Sequence, residues 1–66
     1  MINEFDHVKI KTNGIIGEVV DVYVSNEEKI FVVESDKKGV PGGYGNNDSW
    51  KLFWCLEEQL EKIEKV

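Results

Sequence analysis

Arginine and alanine are absent from this chain of 66 residues, and cysteine and proline each occur once. Without arginine, the protein lacks the side chain that makes bidentate contacts to phosphate groups and to guanine. A single cysteine, Cys55, excludes an internal disulfide and a metal site built from several cysteines. Because small secreted domains usually depend on disulfides, the predicted location is a reducing cytoplasm.

Long apolar runs are also missing, since no stretch approaches the roughly 20 apolar residues of a membrane-spanning helix. The N-terminal stretch MINEFDHVKIK carries acidic residues where a signal peptide has a basic region followed by an apolar one. We therefore expect neither secretion nor membrane association. Richness in lysine, glutamate, asparagine and isoleucine, without arginine or alanine, is typical of a bacterial or phage protein from an AT-rich genome.

Acidic residues outnumber basic ones by 13 to 8, which gives a formal net charge of −5 at pH 7. All the basic residues are lysines, and acidic residues are in excess in both halves of the chain. Such a chain is poorly suited to neutralising a phosphate backbone, so nucleic acid is an unfavoured partner. The acidity instead favours a basic protein or peptide as the partner.

The hydrophobic content of 41% suffices for a packed core, and the pattern predicts one all-β domain over residues 1–66. Alternating and β-branched segments predict four strands, at His7–Lys11, Ile15–Val24, Lys29–Glu34 and Trp50–Cys55. Gly17 inside the second strand predicts a bulge or a bend there. Alternation along that strand places four apolar side chains on one face: Ile16, Val20, Val22 and Val24.

The tail LEEQLEKIEKV has two interpretations. Leu56, Leu60 and Ile63 have helical spacing, which predicts a helix. A helical turn at Leu56–Gln59 followed by a strand at Leu60–Ile63 accommodates them equally well. We favour the turn and strand because a sheet of four strands needs its edges paired or covered. Five short strands at this spacing predict a small antiparallel barrel.

The segment GIIGEVVDV at residues 14–22, preceded by DHVKI at residues 6–10, resembles the glycine-x-x-glycine-x-valine core of KOW-type SH3-like barrels. The ending WCLEEQLEKI is similar to that of many small bacterial SH3-like proteins. The resemblance implies an all-β, five-stranded SH3-like (KOW-like) barrel with a short helical turn before the last strand. KOW domains commonly work in ribosomes or transcription complexes, which implies an alternative function as an RNA-contacting accessory using Lys9, Lys11 and Lys29.

The stretch GVPGGYGNNDSW at residues 39–50 holds four of the six glycines and the only proline. A connection of this length between strands usually has a functional reason. We predict a non-catalytic module, a monomer or weak homodimer, that binds a protein or peptide through the 35–50 loop. Its predicted contact residues are Tyr44, Trp50 and Tyr23, rimmed by Asp36, Asp48 and Lys51. In the alternative interpretation, Tyr44 folds over the open barrel end and packs on Trp50.

Catalytic and cofactor chemistry has weak support in this sequence. His7, beside Asp6, is a conceivable general base for Cys55, but a surface histidine and a buried cysteine explain both residues, so no enzyme is predicted. The glycines are not followed by a helix and do not form a phosphate cradle, so no cofactor is predicted. Four oxygen donors lack the spacing of an EF-hand loop, so no metal is predicted: Asp36, Asn46, Asn47 and Asp48.

Overall fold

The structure, a computed structural model, describes residues 1–64; the last two residues of the predicted domain lie outside that range. It contains five strands and one 3-10 turn: β1 (His7–Ile10), β2 (Ile16–Ser25), β3 (Glu28–Lys38), β4 (Trp50–Leu56), the turn Glu57–Gln59 and β5 (Leu60–Lys62). The four predicted strands and the turn-and-strand ending are confirmed, and the helical interpretation of the tail is wrong. No helix within residues 1–64 is long and apolar enough to span a membrane.

All five strands are antiparallel and form one sheet in the order β4-β3-β2-β1-β5. The last strand returns to the first, where Leu60 pairs with Ile10. β4 and β5 are therefore opposite edges, and no pairing joins them within residues 1–64. The all-β, five-stranded antiparallel fold is confirmed, whereas hydrogen bonds among residues 1–64 do not close the sheet into a barrel.

The core lies on one face of the sheet and draws on every strand. Its buried members are Ile2, Val8, Ile10, Val19, Phe31, Val33, Cys55 and Leu60. Phe31 and Val33 alternate along β3 and have no exposed surface. Burying a side chain of this kind stabilises the fold by about 1.5–3 kcal/mol, so β3, which lies between β2 and β4, contributes strongly to the core.

Gly17 was predicted to mark a bulge or a bend, but the bulge in β2 lies at Val20. Val19 and Asp21 pair with consecutive residues of β3, which leaves Val20 as the extra residue. Because one extra residue exchanges the two faces of a strand, Val19 points to the core before the bulge and Val22 after it. The predicted common face of alternate residues along β2 is therefore wrong.

Gly17 has a different role, which is to let β2 and β3 approach closely. It pairs with Val8 on one side and with Ser35 on the other, in regular register. A Cβ atom at this position would collide with the backbone carbonyl of Glu34. The glycine therefore permits close contact between the backbones of β2 and β3 at this point.

β3 continues to Lys38, so the loop spans residues 39–49 and not 35–50 as predicted. The register is irregular over this extension. There the buried Ser35 Oγ accepts a hydrogen bond from the backbone N–H of Lys51 (3.0 Å) and donates to a carbonyl two residues on (2.8 Å). The side-chain hydroxyl of Ser35 thus takes the place of regular backbone hydrogen bonds between β3 and β4. The polar composition of this segment does not predict that arrangement.

Candidate partner-binding site

The face of β2, β3 and β4 opposite the core carries a continuous set of apolar and aromatic side chains, here called the outer patch. Its members are Tyr23, Ile30, Val32, Tyr44, Leu52, Trp54 and Leu56. Residues directly opposite each other in a sheet share a face, and the pairs Val32–Trp54 and Ile30–Leu56 define this one. Val32 is only 7% exposed although it does not belong to the core cluster. The outer patch is therefore packed closely enough to bury its own central residue.

Tyr44 is the most exposed member of the outer patch, at 70%, yet its position is fixed. Its backbone N–H donates to the carbonyl of Leu52 (2.8 Å), and its carbonyl accepts from the N–H of Leu52 (2.9 Å). Its ring makes an edge-to-face contact with Trp54, with centroids 6.0 Å apart and planes at 80°. The interpretation in which Tyr44 packs on Trp50 is wrong; the ring extends the outer patch beyond the edge of β4.

Glycines of the loop, not Tyr44, lie against the core side of β4. Gly42 and Gly43 have φ of 79° and 70° and lie over the ring of Phe53, which packs on the core. A Cβ atom on Gly43 would be 2.7 Å from Phe53 Cζ. Because the loop backbone covers Phe53 from one side of the sheet edge, the chain passes around that edge and delivers Tyr44 to the other side.

Trp50 is half exposed on the outer face, but a cation of the same chain already covers it. Lys38 lies directly opposite Trp50 in the β3–β4 ladder, and its Nζ is 4.3 Å from the centroid of the ring. This is cation–π geometry. Trp50, which is 51% exposed, therefore borders the outer patch with one ring face covered by Lys38. Trp54 is 50% exposed.

The other predicted contact residues are spread over the molecule. Tyr23 is 42% exposed at the β2 margin of the outer patch, and Asp48 is exposed in the loop. Lys51 is buried and donates from Nζ to the carbonyl of Gly42 (3.2 Å), which ties the loop to β4. Asp36 contacts His7 (Oδ2 to Nε2, 3.4 Å). The structure therefore brings the three predicted aromatics to one face, without Asp36 or Lys51 at its rim.

Asp36 also lines the cavity of about 320 Å³ between the β1–β2 turn and the start of the loop. Apolar side chains of Ile15, Ile16 and Val40 form most of its wall, with Lys37 beside them. None of the residues that line this cavity belongs to the outer patch. A volume of this size lies at the low end for small-molecule sites.

The groups considered for catalysis lie on strands that are not neighbours: His7 is in β1 and Cys55 is in β4, with β2 and β3 between them in the sheet. Asp6 accepts a hydrogen bond from the backbone N–H of Asn3 (2.8 Å) and lies 3.4 Å from the ammonium of Lys62. The bond from Asn3, and then the charge of Lys62, lower the pKa of Asp6. Burial raises the pKa of the Cys55 thiol, which favours the neutral form over a nucleophilic thiolate.

The lysines of the RNA-binding alternative do not form one cluster. Lys9 pairs with Ile16 at the beginning of β2, and Lys29 pairs with Val24 near its end. In an extended strand these positions are roughly 26 Å apart. Lys11 follows β1 and is exposed.

Among residues 1–64, no three histidine, cysteine or acidic side chains are placed to hold a metal ion.

Carboxylates border the outer patch on its β2 side. Glu34 lies opposite Leu52 and, on its other side, opposite Glu18. Asp21 lies opposite Val32 at the centre of the patch. With a net charge of −5 on the chain, this arrangement creates a negative potential beside exposed aromatic rings.

Trp54 is the site residue that sequence reasoning left out of the contact set. The alternation of Trp50, Leu52 and Trp54 places all three on one side of β4, and this signal is sufficient to include it. Its importance depends on Tyr44, whose position no local pattern predicts.

Searches of family models, curated proteins and solved structures found no match to this chain. The nature of a partner must therefore be inferred from the chemistry of the outer patch.

Proposed function

We propose that this protein is a non-catalytic binding module that takes a protein or peptide partner on the outer patch, centred on Tyr44 and Trp54. The observation that carries the proposal is the exposed Tyr44, held in place by two backbone hydrogen bonds and a ring contact. A side chain that is already ordered loses little conformational entropy when a partner binds. Tyrosine and tryptophan are also the residues that most often dominate binding energy at interfaces.

The fold assigned to this module is an SH3-like barrel of the KOW type. The strand order β4-β3-β2-β1-β5, with a 3-10 turn between β4 and β5, supports it. The motif GIIGEVVDV at residues 14–22 supports it as well, because it leads into the long strand β2. Function does not follow from this assignment, since small barrels of this kind serve many unrelated roles.

The partner is basic or carries a basic segment. Glu18, Asp21 and Glu34 flank the aromatic rings, and opposite charges steer association and favour correct partners. An RNA-contacting role is the competing function. Titration with single-stranded and duplex oligonucleotides at low salt should show no binding. Binding that falls steeply with salt and is lost in a double Lys9→Gln, Lys11→Gln variant would favour the RNA role instead.

The test compares partner capture by immobilised wild-type protein with capture by Tyr44→Ser and Trp54→Ser variants, quantified by mass spectrometry of a lysate from the source organism. Val24→Thr is the matched control, because Val24 is 69% exposed at the far end of β2. Proteins captured by the wild type and the control should be lost from both aromatic variants. Each variant is first checked for folding by circular dichroism.

Two results would contradict the proposal. One is capture that persists at the wild-type level in both aromatic variants. The other is a loss of several kcal/mol of unfolding free energy in Tyr44→Ser, which would make the ring a part of the packed structure. A ring that is 70% exposed should instead cost less than about 1 kcal/mol on removal.

A further inference from the structure

At the edge of the sheet formed by β4, one residue lacks backbone hydrogen-bond partners within residues 1–64, and this position is here called the gap. β4 is an edge strand, and both backbone groups of Leu52 point away from β3 to bond Tyr44. Alternate residues of an antiparallel strand direct their groups to the same side, so those of Trp54 and Leu56 also point outward. The N–H of Leu56 donates to Oε1 of Gln59 (2.8 Å). Between these two occupied positions, the N–H and carbonyl of Trp54 have no partner within residues 1–64.

The gap exists because the chain begins an additional strand at Tyr44 and does not complete it. In antiparallel register with Tyr44 opposite Leu52, Gly42 would lie opposite Trp54. The positive φ angles of Gly42 and Gly43 turn the chain over the core side before that pair can form. The outward groups of Trp54 thus remain available to another strand in line with Tyr44.

The sheet itself indicates which side chain fits opposite this tryptophan. Lys38 lies directly across from Trp50, and its ammonium stacks on the ring at 4.3 Å. A lysine or arginine opposite Trp54 would meet a ring that is 50% exposed. Asp21 lies on the same face, two strands in from that edge, and adds attraction for a cation.

A second copy of the chain does not fit this gap. Symmetric antiparallel pairing of two β4 edges centred on Trp54 would place Leu56 of one copy opposite Leu52 of the other. Tyr44 already occupies that position through two backbone hydrogen bonds. Two copies that each carry a net charge of −5 would also repel one another. The occupant is therefore a different, basic chain.

We propose that the edge of β4 at Trp54 accepts an extended segment of the partner as an added antiparallel strand, with lysine or arginine opposite Trp54. This inference rests on the proposed function, because the added strand would lie beside the rings of Tyr44 and Trp54. It specifies the mode of binding: backbone hydrogen bonds provide the attachment, and alternate side chains provide the selectivity.

The test uses three synthetic peptides with blocked ends. The first is TVTVK, the second is TVTVE, and the third is TVTVK with a methyl group on the backbone amide nitrogen of the lysine. Each peptide ends at the residue placed opposite Trp54, because Tyr44 occupies the position opposite Leu52. The protein is the isotope-labelled wild type, observed by amide hydrogen exchange and by NMR shifts at millimolar peptide. TVTVK should slow exchange of the Trp54 amide and move the resonances of Leu52 to Leu56. TVTVE should act more weakly at low salt, and the methylated peptide should have no effect on exchange.

The outcomes separate this inference from the proposed function. Equal binding by the methylated peptide, with shifts at Tyr44 and Trp54, would overturn strand addition and leave binding at the outer patch standing. Absence of any protection of the Trp54 amide by TVTVK would also overturn strand addition. Conversely, protection of Trp54 by TVTVK, together with partner capture that persists in both Tyr44→Ser and Trp54→Ser, would support the edge and contradict the aromatic face as the contact.

Discussion

At the scale of single residues, Gly43 decides where an aromatic ring goes. Its left-handed backbone lets the chain lie against Phe53 and then turn Tyr44 outward to Trp54. Gly14 has nearly the same φ, 75°, but nothing lies within 4 Å of the position where its Cβ atom would be. These two glycines therefore separate the effect of backbone conformation from the effect of steric contact.

We predict that Gly43→Ala lowers the free energy of unfolding much more than Gly14→Ala. Alanine at a left-handed position costs about 1–2 kcal/mol, and this should be the whole effect at Gly14. At Gly43 the new methyl group also meets Phe53 Cζ at 2.7 Å, and such overpacking adds about 1–3 kcal/mol. Urea unfolding of both variants measures the difference. Equal losses would show that Phe53 moves aside freely and that the loop does not press on the core.

At the scale of elements, the junction of β3 with β4 depends on one buried hydroxyl group. Ser35 Oγ accepts from the N–H of Lys51 and donates to the carbonyl of Lys37, where the register of the two strands is irregular. Lys51 in turn bonds the carbonyl of Gly42 in the loop. The hydroxyl of Ser35 thus connects the sheet to the segment that carries Tyr44.

We predict that Ser35→Ala lowers the free energy of unfolding by about 1–3 kcal/mol, because a buried N–H of Lys51 loses its acceptor. Amide exchange of loop residues 39–49 should accelerate more than exchange at the β2–β3 turn. Ser25→Ala is the control, since Ser25 is exposed at the end of β2 and its loss should change stability by less than about 0.5 kcal/mol. Similar behaviour of the two variants would mean that the junction does not depend on the hydroxyl.

Local patterns predicted the strands because alternation and β-branched residues act within a few positions of each other. The bulge at Val20 was not predictable in this way, since the run VVDV contains no residue that marks an extra position. The position of Tyr44 depends on the pairing of its backbone with Leu52 and on the approach of Gly43 to Phe53, and the residues of each pair lie eight to ten positions apart. Composition and local sequence patterns do not predict backbone conformations that depend on such contacts. The candidate site was therefore predicted only in part.

At the scale of the whole molecule, the two edges of the sheet differ in how readily they could pair with another chain. β5 has only three residues, two of them charged and exposed, which discourages pairing with another chain. β4 has seven residues and is capped at one position by Tyr44, with an aromatic face beside it. The difference between the edges favours a partner on the β4 side, and the acidic charge of the chain selects against self-association there.

Two pKa shifts make the free energy of unfolding depend on pH. The pKa of Asp6 is lowered by the backbone N–H of Asn3 and by Lys62, so its contribution is present above the ordinary value of 3.8 and lost as pH falls through the lower folded value. The pKa of Cys55 is raised by burial above 9.0. Its contribution is complete below that ordinary value and lost as pH rises through the higher folded value.

We therefore predict that the free energy of unfolding falls as pH rises above about 9, and that part of this fall disappears in Cys55→Ala. The variant should be less stable at neutral pH, because a buried side chain is truncated. Its stability should nevertheless decline less steeply between about pH 8 and pH 10, because only the wild type must ionise a buried thiol. Urea unfolding at fixed ionic strength across this range measures both slopes. Parallel curves for the two proteins would show that the thiol ionises as readily in the folded protein as in the unfolded chain. That result would place Cys55 in contact with water instead of with Phe31 and the other members of the core cluster.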